Sequence, residues 1–94
     1  MANNYLIDYM EKNKQKLPKW FEGELYTEGS VVSNPYSGEE AELTAEELSI
    51  YDFIKGAEYV MHARGYDEKI SNDMQKGLSW FIKNNPKAYM TLLD

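Results

Sequence analysis

Residues 34–47 read NPYSGEEAELTAEE, and they hold a chain reversal and a helix start close together. Asn34 can bond its own backbone, Pro35 presets φ, and Gly38 supplies the φ > 0 position that closes a hairpin loop. Thr44 and Glu47 then fit a capping box. The threonine hydroxyl accepts from the Glu47 amide, while the Glu47 carboxylate accepts from the Thr44 amide. Glu46 and Glu47 fall in the first turn, where the positive end of the helix dipole stabilises carboxylates by roughly 0.3–1 kcal/mol. The middle of the chain is thereby committed to a hairpin that feeds directly into a helix.

The flanking patterns extend that frame. Leu6, Met10 and Leu17 repeat at helical spacing with Ile7 adjoining, which predicts an amphipathic helix over 3–16 that Pro18 makes costly to continue. Runs rich in Tyr, Val and Leu at 24–26, 31–32 and 41–43 are separated by Gly23, Gly29 and the 34–38 cluster, so they read as two or three short antiparallel strands. The helix opened by Thr44 continues through Leu48, Tyr51, Ile54, Ala57, Val60 and Met61 to about residue 63, ending at Gly65. Ile70, Met74, Leu78 and Phe81 mark another helix, which Asn84-Asn85-Pro86 stops. Asn85 can cap a short final helix with Pro86 at its first position. The expectation is a single α+β domain over 1–94, predominantly helical. Its N-terminal helix spans 3–16, its β-hairpin region 20–43 and its helical region 44–94. A small antiparallel hairpin or three-stranded sheet, about 24–43, packs against about four helices.

Composition limits the chemistry available. At 94 residues the chain can bury roughly 60–65% of its unfolded surface, which supports one core but leaves little room for a catalytic cleft. Apolar residues at 43% and charged ones at 28% suit a folded globular chain. The absence of cysteine removes disulfides, thiolate metal sites and thiol nucleophiles. No apolar run reaches the 18 or so residues of a membrane span, and the start MANNYLIDYMEKNKQK lacks the basic-then-apolar order of a signal peptide. A cytoplasmic protein without membrane contact is expected.

Charge is uneven. Residues 20–54 carry nine carboxylates and no basic side chain, against a net charge of -6 for the whole chain. Such a segment repels a phosphate backbone, because nucleic-acid affinity rests on Lys and Arg displacing counterions. Direct nucleic-acid binding is therefore not expected. No calcium-loop pattern occurs among the glutamates. His62 is the only histidine, so nucleophilic triads and histidine zinc sites lack their partners. Neither a P-loop nor a dinucleotide fingerprint is present, so no catalytic residue, cofactor or metal is expected.

What remains is surface recognition. Glu40 and Glu42 share one face of a strand while Glu39 takes the other. With Glu22, Glu24 and Glu28 on neighbouring strands they would form an acidic surface able to steer a basic partner, its shape held by turn residues Asn34, Pro35 and Gly38. The plain alternative is a solvated face, with Thr44 and Glu47 serving only as the helix cap. Eight Tyr, three Phe and two Trp are many for this length, and such rings either fill a small core or concentrate at interfaces. Ile50 and Phe53, with Ala57 and Met61, widen the apolar arc of the 44–63 helix beyond one core contact. Ile50, Phe53 and Tyr36 are accordingly added to the candidate partner-binding residues.

Several strings carry a resemblance. Val32-x-Asn34-Pro35-x-Ser37-Gly38, then ELT-x-EELSIYDFI-x-GAE over 42–58, then Gly77-Leu78-x-Trp80-Phe81 and Asn85-Pro86-x-Ala88-Tyr89-Met90-x-Leu92-Leu93-Asp94 resemble small proteins of tailed bacteriophages, particularly those of marine bacteria. The match covers roughly the last two thirds of the chain, leaving out the 3–16 helix and residues 64–72. The resemblance implies a viral product acting in the infected bacterial cytosol, by host modulation or in an accessory role. It carries no functional residue. Two readings follow: a non-enzymatic interaction protein that binds a protein partner with a basic surface, or a structural or assembly subunit that pairs with its own copies as a homo-oligomer. Because any ligand of the native state raises the melting temperature by mass action, divalent ions, nucleotides and sugars are expected to leave it unchanged in a thermal-shift screen. A rise of many degrees with calcium or magnesium would make the glutamates ligands.

Overall fold

The computed structural model describes residues 16–94, so the helix expected over 3–16 lies outside the described residues apart from its last position. Two strands, β1 (Ser30–Ser33) and β2 (Glu40–Leu43), are followed by three helices, α1 (Ala45–Arg64), α2 (Glu68–Asn84) and α3 (Pro86–Leu92). The class is α+β and predominantly helical, as the sequence implies.

The hairpin forms where the turn residues require it. Asn34 Oδ1 accepts from the amides of Tyr36 at 2.8 Å and Ser37 at 3.2 Å, and Gly38 takes φ of 80°, the left-handed region open to glycine. The Asn34 side-chain amide donates to the Thr91 carbonyl at 2.9 Å, which ties the turn to α3. The antiparallel register pairs Ser30 with Leu43, Val31 with Glu42, Val32 with Ala41 and Ser33 with Glu40. Strand periodicity then sends Val32, Ala41 and Leu43 toward the core and Val31, Glu40 and Glu42 outward.

Residues 24–26 form no third strand. Their backbone instead runs against α1, where the Tyr26 amide donates to Ser49 Oγ at 3.0 Å and that hydroxyl donates to the Ala45 carbonyl at 2.9 Å. A side chain of the helix supplies the acceptor that a neighbouring strand would have offered.

Helix boundaries follow local capping chemistry. Thr44 and Glu47 complete the expected capping box, and Gly65 closes α1. Asp67, unforeseen in the sequence, caps α2 by accepting from the Ile70 amide at 2.9 Å. Asn85 both ends α2 and opens α3: its amide donates to the Phe81 carbonyl at 2.8 Å, and its Oδ1 accepts from the Ala88 amide at 3.1 Å.

The core joins β2 to all three helices through Leu43, Ile50, Ile54, Phe81, Ala88 and Leu92. Gly77 lets α2 approach α1, since a Cβ there would stand 3.2 Å from Ile54 Cγ1. Ile50 is wholly buried at 0% exposure, which removes it from the candidate contact residues. The wide arc of α1 is used twice within the chain, on one side by β2 and α2, and on the other by the segment carrying Trp20 and Phe21.

Glu47 sits at the junction, only 3% exposed. Its Oε1 accepts from the Thr44 amide at 3.0 Å and from the Asn85 side-chain amide at 3.1 Å, so one carboxylate serves the caps of two helices. Thr44→Ala should cost about 1 kcal/mol in urea unfolding. Glu47→Ala should cost more, about 2–3 kcal/mol, because it leaves two part-buried donors unpaired. A Glu47→Ala/Asn85→Ala cycle should show less destabilisation than the two single losses summed. Strict additivity would mean that the two caps are independent.

Candidate functional site

The segment at 20–24 crosses the surfaces of α1 and α2 and leaves a groove of about 450 Å³ between them. Local contacts hold it there. Pro18 initiates a turn in which the Phe21 amide donates to the Pro18 carbonyl at 3.1 Å, and the Trp80 indole donates to the Lys16 carbonyl at 3.0 Å. Three rings then lock together. Phe21 meets Phe53 edge-on with centroids 5.7 Å apart, and Trp20 lies 5.8 Å from Phe53 and 6.2 Å from Phe21. Aromatic pairs at these separations add roughly 0.5–1.5 kcal/mol beyond the area they bury.

The apolar lining comes from Trp20, Phe53, Ala57, Val60 and Ile70, while Glu22, Glu24, Asp52 and Asp73 bring four carboxylates to the same groove. Among the described residues Lys69 is the one ammonium lining it, and Asp73 Oδ2 holds its Nζ at 2.9 Å. That hydrogen bond, then the Asp73 charge, raises the Lys69 pKa above its ordinary value, with the Glu22 charge adding to the effect. Tyr26 responds in the same direction. Partial burial is the first cause, followed by the charges of Asp52 and Glu24 and by the hydrogen bond its hydroxyl donates to Asp52. Lys76 lies over Trp20 with Nζ 5.9 Å from the ring centroid.

The fold separates the residues that the sequence suggested as one surface. Glu22, Glu24 and Phe53 meet in this groove. Glu40 and Glu42 project from the outer face of β2, beside a second concavity of about 270 Å³ that they share with Asn85, Lys87 and Thr91. Ser33 Oγ donates to Glu40 Oε2 at 3.2 Å. Glu28 is exposed ahead of β1, and neither it nor Glu22 nor Glu24 stands on a strand, which corrects the expected acidic sheet face. Tyr36 is 95% exposed at the hairpin turn. Asn34, Pro35, Gly38, Thr44 and Glu47 occupy turn and cap positions, as their chemistry implied.

Asp52, Asp73, Lys69 and Gly56 complete the groove without having been singled out in the sequence. A helical signal was present, because Asp52 and Gly56 are four residues apart and so share one face of α1, as Lys69 and Asp73 do on α2. Nothing in either helix announced that the two faces meet. Among the described residues no group of three or more histidines and carboxylates is arranged to hold a metal ion, so the four carboxylates surround the groove without converging. The arrangement suits an amphipathic cation, with an apolar stem against the rings and charge against the carboxylates. Among the described residues no helix is long and apolar enough to cross a membrane. Comparison with protein-family models, curated proteins and solved structures finds no match.

The Tyr26 contacts set a pH dependence. The folded state holds the phenol proton above its ordinary pKa of 10.0, so the contribution is fully present below pH 10 and disappears as pH rises through the folded value. Melting temperature should therefore fall more steeply above pH 10 for the parent than for Tyr26→Phe. Parallel curves would separate Tyr26 from Asp52.

Proposed function

We propose that this chain is a small acidic protein-binding module that works without catalysis, capturing a protein partner through a basic patch on that partner. In line with the resemblance in its sequence, it is a tailed-bacteriophage product acting in the cytosol of an infected bacterium, as a host-modulating or accessory factor. The observation that carries this reading is the groove between residues 20–24, α1 and α2, where Glu22, Glu24 and Asp52 stand around an apolar floor and, among the described residues, the one lining ammonium, Lys69, is paired with the fourth carboxylate, Asp73. A surface of one charge sign steers an oppositely charged partner toward itself, and aromatic walls give that partner contact area once it arrives.

Self-association as a structural or assembly subunit is the second reading. Its basis is the broad apolar arc of α1, and within the chain Leu43 and Phe81 pack with Ile50 and Ile54 of that arc while Trp20 and Phe21 meet Phe53, so the observations favour a separate partner. The discriminating experiment is capture from infected host cells with the tagged parent and with Glu22→Gln/Glu24→Gln. Both substitutions are at exposed positions, so folding should be nearly unchanged. Capture of the basic partner should slow about tenfold at low salt. The difference should shrink as the screening length falls from roughly 10 Å at 0.1 M to about 3 Å at 1 M. Equal capture rates at low salt would remove the groove carboxylates from the function, and a stable homo-oligomer retaining no other protein would replace this reading with the second.

A further inference from the structure

Gly56 lies in the interior of α1, where glycine weakens a helix by roughly 0.5–1 kcal/mol relative to alanine. Two structural reasons commonly require such a glycine: a left-handed backbone or the close approach of a neighbour. Neither applies. The positive-φ glycines among the described residues are Gly38 and Gly65, and a Cβ at Gly56 would meet no atom within 4 Å. Gly77 differs, because Ile54 stands against it. What the missing side chain does at Gly56 is leave bare helix backbone as part of the groove wall, one turn after Asp52.

Charge narrows the occupant. Among the described residues the groove is lined by one cation, Lys69, which pairs with Asp73 at 2.9 Å, and nearby Lys76 lies over Trp20. Glu22 and Glu24 have no ion pair among the described residues. A bare divalent ion would need several oxygens converging on one point, which the described residues do not provide. A long side chain that is apolar along its stem and cationic at its tip matches both halves of the lining. The volume, about 450 Å³, falls in the range of ligand clefts, about 300–1,000 Å³, and leaves space for an adjoining apolar side chain.

We propose that Gly56 keeps the groove open for a lysine or arginine side chain of the partner protein, with its methylenes on Phe53 and Val60 and its charged tip among Glu22, Glu24 and Asp52. The inference rests on the protein-binding reading above and goes further by naming the seat and its occupant. It makes Gly56 a specificity-determining position whose stability cost has a binding return.

The test uses the full chain and an amidated hexapeptide of alternating arginine and leucine, compared with the same peptide carrying citrulline, which is isosteric but uncharged. Amide shifts at Asp52, Gly56 and Ala57 are expected with the arginine peptide and not with the citrulline one. Gly56→Leu should fill the groove and weaken the arginine peptide by about tenfold or more, while melting at or above the parent temperature. Gly56→Ala should melt higher than the parent and bind with a smaller loss. Equal affinity of parent and Gly56→Leu would overturn the inference yet leave the basic-partner reading standing on other carboxylates such as Glu40 and Glu42. No binding of the arginine peptide to the parent would also overturn it, and the capture experiment would judge the broader reading separately.

Discussion

The structure depends on one buried carboxylate. Glu47 closes the capping box of α1 from its third position and, through the same oxygen, holds the Asn85 side chain that caps α3. An ionised group in the interior is costly unless hydrogen bonds replace its water, and two amide donors with the positive end of α1 supply that replacement. The hydrogen bond joins positions 38 residues apart and thereby fixes the start of α3 against the start of α1. The placement of Ala88 and Leu92 in the core follows, because α3 is too short to hold its own position as an isolated helix.

That junction organises the hairpin as well. β2 runs directly into Thr44, so its strand direction is set by the helix entry, and Leu43 is carried into the core beside Ile50. Asn34 then pins the far end of the hairpin to Thr91 at the other end of α3. A two-stranded hairpin is marginal alone in water, and here both of its ends are tied to the same short helix. The outward residues of β2 are consequently held near Lys87, while Glu22 and Glu24 are placed on a different part of the molecule.

The groove arises because α1 is used on two sides. One side closes the core with β2 and α2. The other receives Trp20 and Phe21 through Phe53, and the crossing segment brings Glu22 and Glu24 opposite Asp52. Acidic side chains in proximity raise each other's energy, and part of that cost is relieved locally by Lys69 beside Asp73 and by the Tyr26 hydroxyl beside Asp52. Glu22 and Glu24 are left beside an apolar floor, and the proposed recognition of a cation with an apolar stem rests on that arrangement.

The amino-acid sequence by itself determined the features whose partners lie within one turn. Thr44 and Glu47 are three residues apart, Asn34 acts on Tyr36 and Ser37, and Asn85 acts on Ala88, so the helix starts and the hairpin turn were legible as local hydrogen-bond patterns. The spacing of Met74, Leu78 and Phe81 marked the inner face of α2 for the same reason, while Ile70 of the same series lines the groove. Only the tertiary structure decided that Tyr26 would bond Ser49 instead of a strand, that Ile50 would be spent in the core, and that Glu24 would stand across from Asp52. Each of those outcomes joins elements distant in sequence, and periodicity records which face of an element is apolar without recording which other element will cover it.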